Sequence, residues 1–181
     1  MAPLIAGRLR AAVRTALAGI MLVVGGTASA EPTDTAVKAA FLPRFARYVT
    51  WPAAALPKGS DPFVLCVIGD DPFRSMLNQA VKSQLVDGRR IVVRHMKSAA
   101  GAEGCHIAFV QGTRAQPAGQ MLAAMGRRPV LTVTDASSRQ RGLIHFALVG
   151  GRVRFFIDQS GAAQRGLSIS SRLLALALGV R

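Results

Sequence analysis

Phe63 to Ile68 reads FVLCVI, six apolar residues in a row with no polar interruption. A run of that length is a strand, and one with no polar alternation has both faces buried, as in a parallel sheet covered on each side. Gly69-Asp70-Asp71-Pro72 follows. There Asp71 is placed to cap a helix and Pro72 to hold its first position, so a helix is predicted from Phe73 to about Val81. The same grammar recurs downstream. Ile91 to His95, Ile107 to Val110 and Val130 to Thr134 read as strands, and a helix is predicted from about Pro117 to Met125, ended by Gly126. Strands alternating with helices predict an α/β fold, a three-layer αβα arrangement around a mostly parallel sheet.

Two further segments complete that outline. Leu143 to Leu148 and Val153 to Ile157 flank Gly150-Gly151, a two-residue turn that predicts an antiparallel edge hairpin. Asp158 opens a short helix ended by Gly166. Ser168, Ser170 or Ser171 then starts a last helix, Leu173 to Leu178, expected to be buried because it is apolar nearly all round. Ahead of the sheet, Pro32 to Val49 reads as a helix with Thr33 as N-cap and Asp34 in its first turn. Pro43 lacks the N–H that would bond to Ala39, so it should kink or divide that helix. Phe41, Phe45 and Tyr48 fall on one face and are expected to dock on the sheet. Lys38, Arg44 and Arg47 are expected to stay outside, and Trp51-Pro52 ends the helix.

Residues 1 to 30 have a different character. Arg8, Arg10 and Arg14 precede an apolar stretch from Ala16 to Val24 and the small-residue site Ala28-Ser29-Ala30. That is the pattern of a secretory signal peptide cleaved after Ala30. The apolar stretch is about half the roughly 20 residues a spanning helix needs. No cysteine stands at the cleavage site to carry a lipid. The expected product is an exported, soluble single domain, residues 31 to 181, in the periplasm.

Without the three leader arginines, 20 basic residues face 9 acidic ones, a net charge of +11 over 151 residues. Such a field favours anionic partners. Outside the cytoplasm nucleic acid drops from consideration, leaving an acidic protein surface or anionic lipid headgroups. The same charge is also what a scattered, solubilising surface would carry. Cys66 and Cys105 are the only cysteines. In an oxidising compartment an even pair invites a disulfide, and two buried thiols are the alternative.

Catalytic signatures are thin. Gly69-Asp70-Asp71-Pro72 follows a strand, yet neither G-x-G-x-x-G nor G-K-[ST] is present, so no nucleotide motif is supported. Helix capping explains the two aspartates better than acid/base or metal chemistry. His95, His106 and His145 each lie in or beside a strand and lack helical spacing to a second ligand, which favours structural roles. No G-x-S-x-G anchors a nucleophile. No catalytic residue, metal site or cofactor is expected. Binding candidates are the features packing explains least: Arg44 and Arg47, Trp51, Asp70, and the cluster Ser168, Ser170, Ser171 and Arg172. The exposed N–H groups and guanidinium of that cluster could hold an anion or a partner carboxylate.

Six segments in order carry a resemblance: KAAFLPRFARYVTWP, LCVIGDDPF, CHIAFV, VLTVTD, GGRVRFFI and GLSISSRLL. Together they resemble the periplasmic YfiR family, which includes HmsC-like proteins, over essentially all of residues 33 to 179. The resemblance implies a regulator without enzymatic activity. It would bind the periplasmic sensor domain of an inner-membrane diguanylate cyclase and hold it inactive, lowering cyclic di-GMP and biofilm formation. It also implies an α/β fold, a capacity to form homodimers, and a disulfide at the positions of Cys66 and Cys105. A second cysteine pair found in such relatives is missing here. A periplasmic small-ligand receptor, with a pocket near Asp70 and Ser170, is the alternative reading, and an envelope enzyme is a third.

Overall fold

The computed structural model describes residues 33–181, so the leader expected at residues 1 to 30 lies outside the described residues. Helix α1 spans Asp34–Phe45, and Thr33 Oγ1 accepts from the Ala36 N–H at 3.3 Å. Pro43 sits in its last turn. Beyond Phe45 the chain tightens to a 3-10 turn over Ala46–Tyr48 and then enters β1, Val49–Thr50. The single helix expected to Val49 is therefore divided, as the missing proline donor implies.

Strand β2 is Phe63–Gly69, with all seven residues buried. Helix α2 follows at Ser75–Val81, two residues later than the spacing predicts. The reason is local: Asp71 Oδ1 accepts from the N–H groups of Phe73 at 2.8 Å and Arg74 at 3.3 Å, closing a turn that must finish before the helix starts. Arg74, with φ at 51°, makes the corner. Next come β3 (Leu85–Val86), β4 (Arg89–Met96) and β5 (Ile107–Gln111). Helix α3 (Ala118–Met125), β6 (Leu131–Thr134), β7 (Ile144–Val149) and β8 (Arg152–Ile157) lead to α4 (Gln159–Ala163). The chain ends with β9 (Ser168–Ile169), α5 (Ser171–Leu174) and β10 (Gly179–Val180).

Eight of these strands form one sheet in the order β10-β8-β7-β6-β5-β2-β4-β3. From β7 through β6, β5 and β2 to β4 every neighbour is parallel. Antiparallel pairs stand at both ends. One is the expected β7–β8 hairpin, closed by Gly150 and Gly151 at φ 56° and 71°, the conformation that glycine adopts without strain. The other, β3–β4 across Asp87-Gly88, was not foreseen, although Asp-Gly is among the strongest hairpin dipeptides. The hairpin expected at the edge is not the last element there, because β10 pairs parallel to β8 outside it.

That pairing corrects the expectation of a buried terminal helix. Helix α5 ends at Leu174, and the chain extends so that the Leu178 N–H donates to the Phe155 carbonyl at 2.8 Å and the Arg181 N–H to that of Ile157 at 3.1 Å. Only Leu173 of the run is fully buried, and Leu176 is 57% exposed. Backbone pairing along the β8 edge takes precedence over the apolar composition of the segment.

The sheet carries a core on each face. On one, α1 lays Phe45 against Phe155 and Phe146, with ring centroids 5.4 and 5.7 Å apart, among Phe63, Leu65 and Phe109. On the other, Met121 and Met125 of α3 and Ala99 and Ala102 of the loop before β5 pack on Val64, Cys66, Ile68, Ala108 and Val110. This second core draws nothing from β7 or β8. The third layer is therefore partial.

Candidate functional site

Trp51, the only tryptophan, leaves the short ladder that pairs Val49 with Ile169 and Thr50 with Ser168. It is 5% exposed, meets Phe63 edge-on at 5.1 Å, and its Nε1–H donates to the His106 carbonyl at 3.3 Å. Expected among the binding residues, it is instead an internal staple that fixes the exit of α1 to the starts of β2 and β5. It has no surface left to offer a partner.

His106 lies beneath it, stacked on Phe63 at 4.4 Å, and its Nδ1 accepts the Val64 N–H at 3.0 Å. Burial lowers its basicity, and an amide N–H aimed at Nδ1 needs the neutral lone pair there. His145 is likewise buried, with lowered basicity, and its Nδ1 is 2.9 Å from Thr134 Oγ1. His95 Nδ1 stands 3.2 Å from Asp71 Oδ2. Each ring serves its neighbouring strands.

On the polar side of α1 the three cations part company. Lys38 was expected outside. Its Nζ instead reaches Asp135 Oδ2 at 2.7 Å, and the Ser137 N–H and Oγ–H both donate to Oδ1 of the same carboxylate. Asp135 follows β6, so the ion pair ties α1 to the end of the parallel sheet. Arg44 and Arg47, in the last turn of α1 and the 3-10 turn, are exposed and make no ion pair among the described residues.

The serine cluster joins them. The Ser170 N–H donates to the Tyr48 carbonyl at 2.8 Å, next to Arg47, and Ser170 Oγ accepts from the Leu173 N–H at 3.4 Å as the cap of α5. Ser168, Ser171 and Arg172 are exposed beside this junction. Asp70 does not share it. It follows the far end of β2, a seven-residue strand about 20 Å long, whose start is the Phe63 that Trp51 covers. The sites expected near Asp70 and near Ser170 are thus two places, and neither residue lines any of the three cavities described below.

Cys66 and Cys105 form a disulfide across 39 residues, with Cα atoms 5.8 Å apart. It pins the middle of β2 to the loop before β5, under the smaller core. Beside it opens a cavity of about 670 Å³, floored by Val64, Val92 and Cys105 and rimmed by Arg94 and Arg128. A second of about 650 Å³ lies between α3 and residues 137 to 140, and a third of about 170 Å³ beside Arg141 and Arg181. Among the described residues no three His, Cys, Asp or Glu side chains gather as a metal would need, and no helix is long and apolar enough to cross a membrane.

Two features escaped sequence reasoning. Asp135 directly follows the strand predicted at Val130 to Thr134, and nothing beside it in sequence marks it as the partner of Lys38. The strand predicted from Val153 starts one residue earlier, at Arg152, and period two then places the Arg152 and Arg154 guanidiniums on one face.

Fold and site define a class: an open α/β sheet stapled by a disulfide, whose unpaired guanidiniums point outward. The chain belongs to the YfiR/HmsC-like family, whose model matches residues 35–178. That is a regulatory family of periplasmic proteins. Comparison with curated proteins finds no match.

Proposed function

We propose that the chain is an exported regulator that binds the periplasmic sensor domain of an inner-membrane diguanylate cyclase and holds it inactive. It lowers cyclic di-GMP and biofilm formation by contact alone, with no turnover of its own. Residues 1 to 30 direct export, and residues 31 to 181 act as one domain. Membership of the YfiR/HmsC-like family supports this reading, as does a disulfide suited to an oxidising compartment. The observation that carries the contact surface is the division among the α1 cations. Lys38 is consumed by Asp135, while among the described residues Arg44 and Arg47 face solvent without an ion pair, and Ser171 and Arg172 are exposed on the segment whose Ser170 bonds Tyr48. Guanidiniums so placed are suited to bidentate pairing with partner carboxylates.

Charge reversal tests the surface. R44E/R47E is expected to weaken binding to the cyclase's exported domain at least tenfold and to flatten its salt dependence, with stability unchanged. Unchanged affinity in that variant would remove this surface. A second reading, a periplasmic small-ligand receptor, is favoured by the 670 Å³ cavity, whose apolar floor and cationic rim suit an amphipathic anion. A ligand-dependent rise in melting temperature that disappears in R94E/R128E would support it.

A further inference from the structure

The β7–β8 hairpin has two faces of opposite character. Phe146 and Phe155, paired across the strands, lie under α1. Their neighbours in register are Val149 with Arg152, Ala147 with Arg154, and His145 with Phe156, and all point to the opposite side. No residue of β7 or β8 contributes to the core beneath α3, so among the described residues no helix covers this side of the hairpin. Val149 is 50% exposed, and Arg152 and Arg154 are exposed without an ion pair among the described residues. Arg141 completes the surface, its Cζ held 4.7 Å above the Phe156 ring. Asp158, which follows β8, is already engaged by Arg181 at 3.1 Å, and Asp135 by Lys38 at 2.7 Å.

A solvated sheet face ordinarily interleaves both signs of charge. Here Arg152 and Arg154 stand two residues apart on one face, with Arg141 nearby and no free acid among them. We propose that this face is a second docking surface, for an extended acidic segment of a partner protein. The segment's carboxylates pair with Arg141, Arg152 and Arg154, and its apolar side chains lie on Ala147 and Val149. The cation–π contact fixes the Arg141 guanidinium before binding, which reduces the ordering it must undergo.

Charge selects this occupant over others. A second copy docked through a two-fold axis would set Arg152 and Arg154 against themselves. Among the described residues the exposed acids, Asp34, Asp61, Asp70, Asp87 and Glu103, stand singly on separate elements. A lipid surface calls for exposed aromatic anchors. Trp51 is internal, and Phe156 is covered by Arg141. The inference rests on the regulator reading for the partner's identity but not for the surface itself.

The protein expressed from its full-length sequence is titrated with a twelve-residue peptide of alternating Glu and Val, and separately with phosphatidylglycerol/phosphatidylethanolamine vesicles. Salt-sensitive peptide binding is expected, weakened at least tenfold in R152E/R154E, severalfold in R152Q/R154Q, and less than twofold in K82E/R127E, which makes the same change of charge at exposed positions elsewhere. Equal binding by R152E/R154E, absence of peptide binding by the unaltered protein, or binding to vesicles alone would each overturn the proposal. The cyclase's exported domain is titrated in parallel. If the face takes the peptide while that domain goes unbound, the cyclase reading fails and the surface stands. If the domain binds while R152E/R154E binds domain and peptide as before, the surface fails and the cyclase reading stands.

Discussion

At the scale of single residues, Asp135 is the side chain on which most depends. Burial alone would raise its pKa, but hydrogen bonds from Lys38 and Ser137 hold it below its ordinary 3.8. Asp135→Asn leaves the Lys38 ammonium partly buried and unpaired, and is expected to cost about 2 kcal/mol in urea denaturation. Asp158 is also lowered, with burial opposed by the Gly161 N–H, Ser160 and Arg181. The pH dependence follows in sign. His106 and His145 have folded pKa values depressed from 6.5 by burial, so the unfolded chain binds more protons once pH falls below 6.5. Their share of stability is complete above pH 6.5 and declines below it. The share of the two aspartates is complete above 3.8 and is lost as pH falls through their lower folded values. Stability that stayed level from pH 7.5 to 3 would contradict both assignments. Nothing in the sequence marked Lys38 and Asp135 as partners, because 97 residues separate them and only the packing of α1 over the end of β6 brings them together.

At the scale of elements, β2 ends at Gly69, opposite Gln111 of β5. The φ of Gly69 is +92°, and an added Cβ would overlap the Gln111 carbonyl. Gly88 also has positive φ, +77°, but faces open space. Gly69→Ala is expected to lose about 3 kcal/mol or more, from backbone strain and steric overlap together, and Gly88→Ala about 1 kcal/mol from backbone strain alone. Similar losses in the two variants would mean that the register of β2 on β5 does not depend on that contact. The parallel strands were legible because burial on both faces leaves unbroken apolar runs such as FVLCVI. The β7–β8 turn was legible because Gly150-Gly151 has few other uses between two strands. The terminal segment differs from expectation because a leucine-rich run of six residues, Leu173 to Leu178, has no periodicity that separates a buried helix from an edge segment. Which of the arginines and serines share a surface was not legible either, since the β1–β9 ladder that joins Arg47 to Ser170 is two residues per strand.

At the scale of the whole molecule, the disulfide and Trp51 hold opposite faces of the same strand. The bridge closes 39 residues, a constraint worth about 4 kcal/mol in the chain-entropy model. C66S/C105S is expected to lower stability by about that amount and to leave the α1 face folded around Trp51, with its near-ultraviolet signal intact. Loss of that signal in parallel with stability would show the two cores to be one cooperative unit. With these two anchors the sheet frames the cationic outer surfaces through which the proposed regulation would act. Cyclic di-GMP synthesis by the membrane-embedded cyclase, measured with and without this protein on the periplasmic side, is the direct test. Saturable suppression of synthesis, relieved by R44E/R47E, is the expected result; synthesis unchanged at saturating protein would contradict the account.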